Sequence, residues 1–245
     1  PNTTPRSIEI TINDGGNDSN TAVTTVTIIG SNDPASITGD ATAAITETNS
    51  ALSASGTLTV SDPDTGESIF ASQTKVDGDN GYGTFTINAA GAWSYAASAH
   101  NEFVAGEQYT DSVIVRSTDR TASETITVTI TGTNDIAQLS SAVSVLVETD
   151  LPLTTSGKLS IDDVDSLETY VAQTNVTGEN GIFSINIAGE WTYTANSAFN
   201  NLNTGNSVED IFEVAATDGA TTSVTVTITG TNDAAVITGG TRQEV

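Results

Sequence analysis

The octapeptide VTITGTND at Val128–Asp135 returns unchanged at Val226–Asp233, and a close variant, VTIIGSND, occupies Val26–Asp33. A sequence that repeats itself about every hundred residues folds as tandem units, because each unit must bury its own core. Within the motif, Val128 and Ile130 alternate with Thr127, Thr129 and Thr131. That is the period of a strand with one buried and one wet face. Gly, Thr, Asn and Asp then end the strand. The motif reads as the last strand of one domain followed by the joint to the next.

Four segments follow from this reading: 1–33 as the C-terminal part of a preceding repeat, 34–135 and 136–233 as complete repeats, and 234–245 as the start of a following one. In the first complete repeat, Ile37 and Ile45 mark an opening segment that reaches Glu47, and Leu58 and Val60 alternate with Thr57 and Thr59. Further strands are expected through Phe70 to Val76, at Phe85 and Ile87, at Trp93 and Tyr95, at Val113 and Val115, and at Ile126 to Ile130. The second repeat follows the same order, with Gly157 for Gly56, Trp191 for Trp93 and Tyr193 for Tyr95, and length differences only in turns, where loops tolerate them. Seven short strands with regular turn signals predict an immunoglobulin-like β-sandwich in each repeat, so the fold class is all-β, with tandem sandwiches arranged end to end. A single helical turn before the sixth strand is compatible with the pattern. Residues 1–33 offer only two strands, which are marginal alone. They must pack on a neighbour, fray, or be completed from outside the chain.

Charge narrows the function. Among 245 residues there are 31 Asp+Glu and 6 Lys+Arg, a net charge of −25, with one His, no Cys and no Met. Such a polyanion is repelled by nucleic acid and by anionic membrane and attracts multivalent cations. Neither a long apolar run nor a secretory signal is visible. With no Met and a repeat cut at each end, the sequence reads as a segment of a longer protein.

Loops of a sandwich alternate between its two ends. The joint, the second-to-third loop and the sixth-to-seventh turn share an upper end, which gathers Asn32, Asp33, Asp62, Asp64, Glu67 and Asp119 in the first repeat and Asn134, Asp135, Asp163, Asp165, Glu168 and Asp218 in the second. The lower end of the first repeat carries Glu47, Glu107 and Asp111, and the second repeat has Glu148 in the place of Glu47 and is followed by Asn232 and Asp233. Head-to-tail stacking predicts that Glu47, Glu107, Asp135, Asp163, Asp165 and Asp218 converge. Gathered carboxylates repel one another unless a cation lies between them. Oxygen-only donors in quantity suit Ca²⁺. Asp-Pro-Asp-Thr-Gly is also a good turn for local reasons, but a turn does not require the second carboxylate that both repeats keep.

This arrangement resembles the calcium joint of cadherins. With GTLTVSDPDTGE at 56–67, AGAWSY at 90–95, AGEWTY at 188–193 and the VTITGTND ends, the whole chain is similar to the VCBS-type repeats of large bacterial RTX adhesins. The resemblance implies an extracellular, cell-surface stalk that is no enzyme, supports adhesion or biofilm formation, and has neighbouring repeats as its partners. Carbohydrate or protein ligands would be held by modules outside the segment. Departures from the pattern are Asn206 in the place of Glu107, no counterparts of Pro63 and Gly66 in the second repeat, and Ile136 and Ala234 where the first joint has Pro34. The rival reading is a carbohydrate- or protein-binding module. It requires exposed aromatic residues in one repeat that its sister lacks, and Tyr82 and Tyr109 are the residues without clear counterparts. Trp93 and Trp191 read as core anchors rather than sugar platforms. A triad on His100 with Ser98 and Glu102 would be missing from the sister repeat.

Overall fold

The computed structural model describes residues 4–234 and residue 239, and every regular element among them is a β-strand. The chain divides into two compact units, Pro1–Thr133 and Asn134–Val245. The expected opening of a further repeat at 234–245 lies outside the described residues apart from Ala234 and Gly239.

The first unit begins with an antiparallel hairpin, β1 (Arg6–Ile10) and β2 (Ala22–Val26), whose residues are all exposed. Ile8 and Ile10 are about half exposed, so packing on the sandwich is not how this piece is held. The sandwich follows: β3 (Ser36–Gly39), β4 (Thr42–Thr46), β5 (Leu52–Ser61), β6 (Gln73–Asp77), β7 (Gly83–Ile87), β8 (Ala92–Ala97), β9 (Gln108–Arg116) and β10 (Ser123–Thr131). One sheet runs β3-β5-β8-β7-β6 and the other β4-β10-β9.

The opening segment differs from expectation. It is two strands, of which β3 pairs antiparallel with β5 and β4 pairs parallel with β10, so the chain changes sheets at Asp40 and Ala41. Gly39 permits this with φ of +119° and a backbone so close to Thr57 that a Cβ would lie 2.6 Å from its carbonyl oxygen. Crossing over closes one edge of each sheet with a single stretch of chain.

Alternation along the strands fills the space between the sheets. Leu58, Phe85, Tyr95, Val115, Ile126 and Ile130 are almost wholly buried. Trp93, 3% exposed, donates its indole N–H to the Asp40 carbonyl at 2.7 Å, tying the central sheet to the crossover. The expected helical turn before the sixth strand is a series of tight turns.

The second unit repeats the plan with β11 (Gln138–Leu139), β12 (Ala142–Val147), β13 (Thr154–Lys158), β14 (Ile161–Asp162), β15 (Gln173–Thr177), β16 (Gly181–Ile185), β17 (Glu190–Ala195), β18 (Ser207–Ala215) and β19 (Thr221–Thr229). Its sheets run β13-β17-β16-β15 and β12-β19-β18, with β11 pairing β14. The long second strand of the sister is here interrupted at Leu159, whose N–H goes to Gly189. Trp191 is 4% exposed, so both tryptophans are core anchors.

Candidate metal centre

Three segments build the upper end of the first sandwich. The loop after β5 starts with an Asx turn in which the Asp64 N–H donates to Asp62 Oδ1 at 2.7 Å. Gly66, at φ of +89°, bends the chain so that Glu67 points back, and the Ser68 hydroxyl donates to the Asp62 carbonyl. The β9–β10 turn supplies Asp119. The connector brings Asn32, whose amide donates to Asp119 Oδ2 at 3.1 Å, and Asp33, whose N–H donates to Asp64 Oδ2 at 2.7 Å. Asp62, Glu67 and Asp119 each present an oxygen within 4.8 Å of the others. Asp62 Oδ2 and Glu67 Oε2 are buried and accept no hydrogen bond.

Electrostatics divides this group. Burial first, and then the charges of Asp62, Asp64 and Asp119, push the Glu67 carboxyl up. Hydrogen bonds led by those from Ser117 and Thr121, with Asn32 behind them, outweigh burial and hold Asp119 well below the usual carboxylate range. The cluster therefore contains one strongly anionic group and one whose charge is resisted by its neighbours.

The lower end of the first sandwich turns on Glu47, 1% exposed at the end of β4. Its Oε2 accepts from the Thr133 N–H at 3.3 Å and hydroxyl at 2.5 Å, while Oε1 is buried without a partner. Glu148 repeats this in the second sandwich, where Oε2 accepts from the Thr231 N–H at 2.8 Å and hydroxyl at 2.9 Å and Oε1 again has no partner. Burial, and after it the charges of Glu148 and Asp150, push up the carboxyl of Asp233. The Asn232 amide donates to the Asp233 carbonyl at 3.3 Å, as the Asn134 amide does to that of Asp135.

At the upper end of the second sandwich, Asp135 and Asp165 are 7% and 6% exposed. The Asp135 N–H donates to Asp165 Oδ1 at 3.3 Å, and the Asp165 N–H donates to Asp163 Oδ1 at 3.1 Å. Both Asp135 oxygens and Asp165 Oδ2 are buried without hydrogen-bond partners. Burial, and beyond it the Asp163 and Asp135 carboxylates, push Asp165 up despite the bond from Asp135. Asp218 is drawn to the same end by the N–H groups of Ala137 and Ala220 at 2.7 and 2.9 Å.

Thus Asn32, Asp33, Asp62, Asp64, Glu67 and Asp119 come together in one unit, and Asn134, Asp135, Asp163, Asp165 and Asp218 in the other. Glu107 is pinned by its backbone, its carbonyl accepting from Gly132, but its side chain is exposed. Glu168, the counterpart of Glu67, is also exposed. Asp111, expected at the lower end with Glu107, is instead a core residue with no exposed surface. It accepts from the Asn80 and Gly83 N–H groups and the Tyr95 hydroxyl, and Asp210 does the same work with Glu179, Asn180 and Tyr193. Sequence reasoning missed the threonines that hold Glu47 and Glu148, although their return in each GTND was the available signal.

Tyr82 and Tyr109 do not form a platform. They pack against the core around Phe103, which is 3% exposed and stacks on Tyr109 with centroids 3.8 Å apart. Both nitrogens of His100 are engaged, Nδ1 with Glu102 and Nε2 with the Tyr82 carbonyl, each at 2.8 Å.

With that geometry established, comparison with known proteins gives two family matches. A bacterial cadherin-like domain model matches residues 32–132, and a bacterial Ig domain model matches residues 134–231. Similar solved structures include protocadherin gamma B2 extracellular cadherin domains 1–5, at 12% identity and a TM-score of 0.50, with 94% of this chain and 46% of that one covered. Another is Drosophila N-cadherin EC1-4, at 18% identity and 0.31, with 92% and 58% covered. A third is mouse cadherin-23 EC22-24, at 15% identity and 0.44, with 92% and 74% covered. The chain spans 57% of PcdhgB3 EC1-4 and 58% of the N-cadherin structure, less than two thirds of each. No curated protein matches it. The chain carries cadherin-like and Ig-like repeats of an all-β fold, and at these identities the solved structures share that fold alone.

Proposed function

We propose that this run of repeats is a stalk segment of a secreted bacterial surface adhesin, stiffened by Ca²⁺ at the ends of its sandwiches and supporting adhesion or biofilm formation. One observation carries the reading: at matched positions in both units, buried carboxylate oxygens have no hydrogen-bond donor to satisfy them, and in the first unit three carboxylates converge. They include Glu47 Oε1, Glu148 Oε1, Asp62 Oδ2, Glu67 Oε2 and both oxygens of Asp135. Buried polar atoms are nearly always paired, and an anion left so is costly. These acceptors fit a hard cation with oxygen ligands, since the chain has no Cys and its single His is hydrogen-bonded to Glu102 and Tyr82.

At the upper end of the first unit, Asp62, Glu67 and Asp119 would hold the ion, with Asp64 and the Asn32–Asp33 connector beside them. At the upper end of the second, Asp135, Asp163, Asp165 and Asp218 would do so, and Glu47 would offer its free oxygen at the lower end of the first. Glu148, Asn232 and Asp233 would serve the following joint in the same way. When bound, Ca²⁺ supplies the positive charge that lets these carboxylates stay ionised and close together. Asp33 and Asp135 tie each connector to the loop beneath it, through their N–H bonds to Asp64 and Asp165. Thr133 and Thr231 hold the glutamates and leave one oxygen of each free. Matches to cadherin-like and Ig-like domains suggest an extracellular adhesion-type module. No described helix is long and apolar enough to cross a membrane.

Small-angle scattering with and without Ca²⁺ tests the stiffening. The distribution of distances should narrow as Ca²⁺ approaches the 10⁻⁴ to 10⁻³ M typical, to an order of magnitude, of extracellular calcium modules. Curves that superpose at all Ca²⁺ concentrations would remove the mechanical role.

A further inference from the structure

Only six Lys and Arg residues occur in the chain, and two of them, Arg116 and Arg120, line one surface pocket of about 430 Å³ in the first unit, with Ala71 and Gln73. Despite the 31 acidic residues, neither guanidinium has a hydrogen-bond or ion-pair partner among the described residues. Two cations that line one pocket repel each other, and an anion bound between them removes that repulsion.

The sister unit shows that the fold does not need them. The pocket's frame is the same in both. The Ala71 N–H donates to the Arg116 carbonyl, as the Val171 N–H does to that of Ala215. The Gln73 amide donates to the Ile114 carbonyl at 3.0 Å, as Gln173 does to that of Glu213 at 3.0 Å. The turn N–H of Arg120 goes to the Ser117 carbonyl, as that of Gly219 goes to Ala216. On this shared frame the second unit carries Ala215 and Gly219 where the first carries the two arginines. The turn position is left-handed in both, with φ of +66° at Arg120 and +100° at Gly219. Glycine takes that conformation freely and arginine does not. The first unit therefore holds Arg120 against its backbone preference, which points from a conformational outlier to a function.

We propose that this pocket binds a single anionic group, the carboxylate or sulfate of an acidic sugar. The planar forks of Arg116 and Arg120 match either group through paired N–H bonds. Gln73, with its Oε1 buried and unpartnered, adds an acceptor beside them for a sugar hydroxyl. The pocket volume suits one sugar residue, and the strongly negative remainder of the chain would reject anions that lack this cationic contact. Arg120 follows Asp119, one of the carboxylates assigned to the ion, in the β9–β10 turn, so Ca²⁺ is held fixed in the test.

The test is amide NMR titration of the whole chain, at fixed Ca²⁺, with galacturonate, galactose 6-sulfate and galactose. We expect shifts around Ala71, Gln73 and Arg116 with one or both anionic sugars and none with galactose; which anion binds decides between uronate and sulfate. Arg116→Ala and Arg120→Gly, the sister unit's own residues, should each weaken binding by about tenfold or more. Arg120→Gly should do so without lowering the melting temperature, which separates lost binding from lost folding. Binding by neither anion, equal shifts with galactose, or unchanged affinity in both variants would overturn the proposal.

Discussion

Gly56 lies so close under the indole of Trp93 that a Cβ there would come within 2.7 Å of the ring, and Gly157 stands in the same relation to Trp191. This explains why a glycine recurs in mid-strand, where it would otherwise only weaken pairing. The large aromatic was legible as an anchor because its alternation with wet neighbours is local. The glycine's reason was not, because the ring comes from the paired strand. Trp93→Ala or Trp191→Ala should cost roughly 3–5 kcal/mol by denaturant titration. The acids divide in the same way. Asp62 and Asp64 were legible from their spacing, whereas Asp111 read as a lower-end carboxylate beside Glu107. Its donors lie about thirty residues away along the chain, beyond what local pattern reasoning covers. Asp111→Ala should leave two N–H groups and the Tyr95 hydroxyl unpaired and destabilise the first sandwich by roughly 3 kcal/mol; Asp119→Ala, in the partly buried β9–β10 turn, should cost less.

At the scale of elements, the strands were readable and their connections less so. Period-two alternation marked every core strand of the first sandwich, yet the opening segment's change of sheet depends on Gly39 meeting Thr57 across the fold and leaves no local trace. The connection between β8 and β9 is held to the turn after β6 through His100, whose two nitrogens both face acceptors, the Glu102 carboxylate and the Tyr82 carbonyl. Only the doubly protonated ring donates to both. Although burial lowers its affinity for the proton, the Glu102 and Tyr82 bonds and the charges of Glu102 and Asp111 prevail and raise the His100 pKa above 6.5. A base raised in the folded state contributes stability that is complete below its unfolded pKa and is lost as pH rises through the folded value. Thermal melts should therefore show the advantage of the wild type over His100→Ala falling as pH rises past 6.5. The second sandwich, which has no histidine, should keep a flat profile in that window. An advantage independent of pH would mean the ring acts only by packing.

For the molecule as a whole, repetition made the plan legible: two sandwiches whose acids return at the same ends. What repetition could not show is which oxygens are left without partners, because that depends on donors such as Thr133 and Thr231 reaching the glutamates first. Those unpartnered oxygens are the proposed calcium ligands. Anomalous diffraction from crystals grown in Ca²⁺ examines this most directly. It should give a peak bounded by Asp62, Glu67 and Asp119, with oxygens at the roughly 2.3–2.6 Å of calcium coordination, and a second peak beside Asp135 and Asp165. Crystals grown at millimolar Ca²⁺ with no peak at either position, and with these carboxylates solvated or protonated instead, would contradict it.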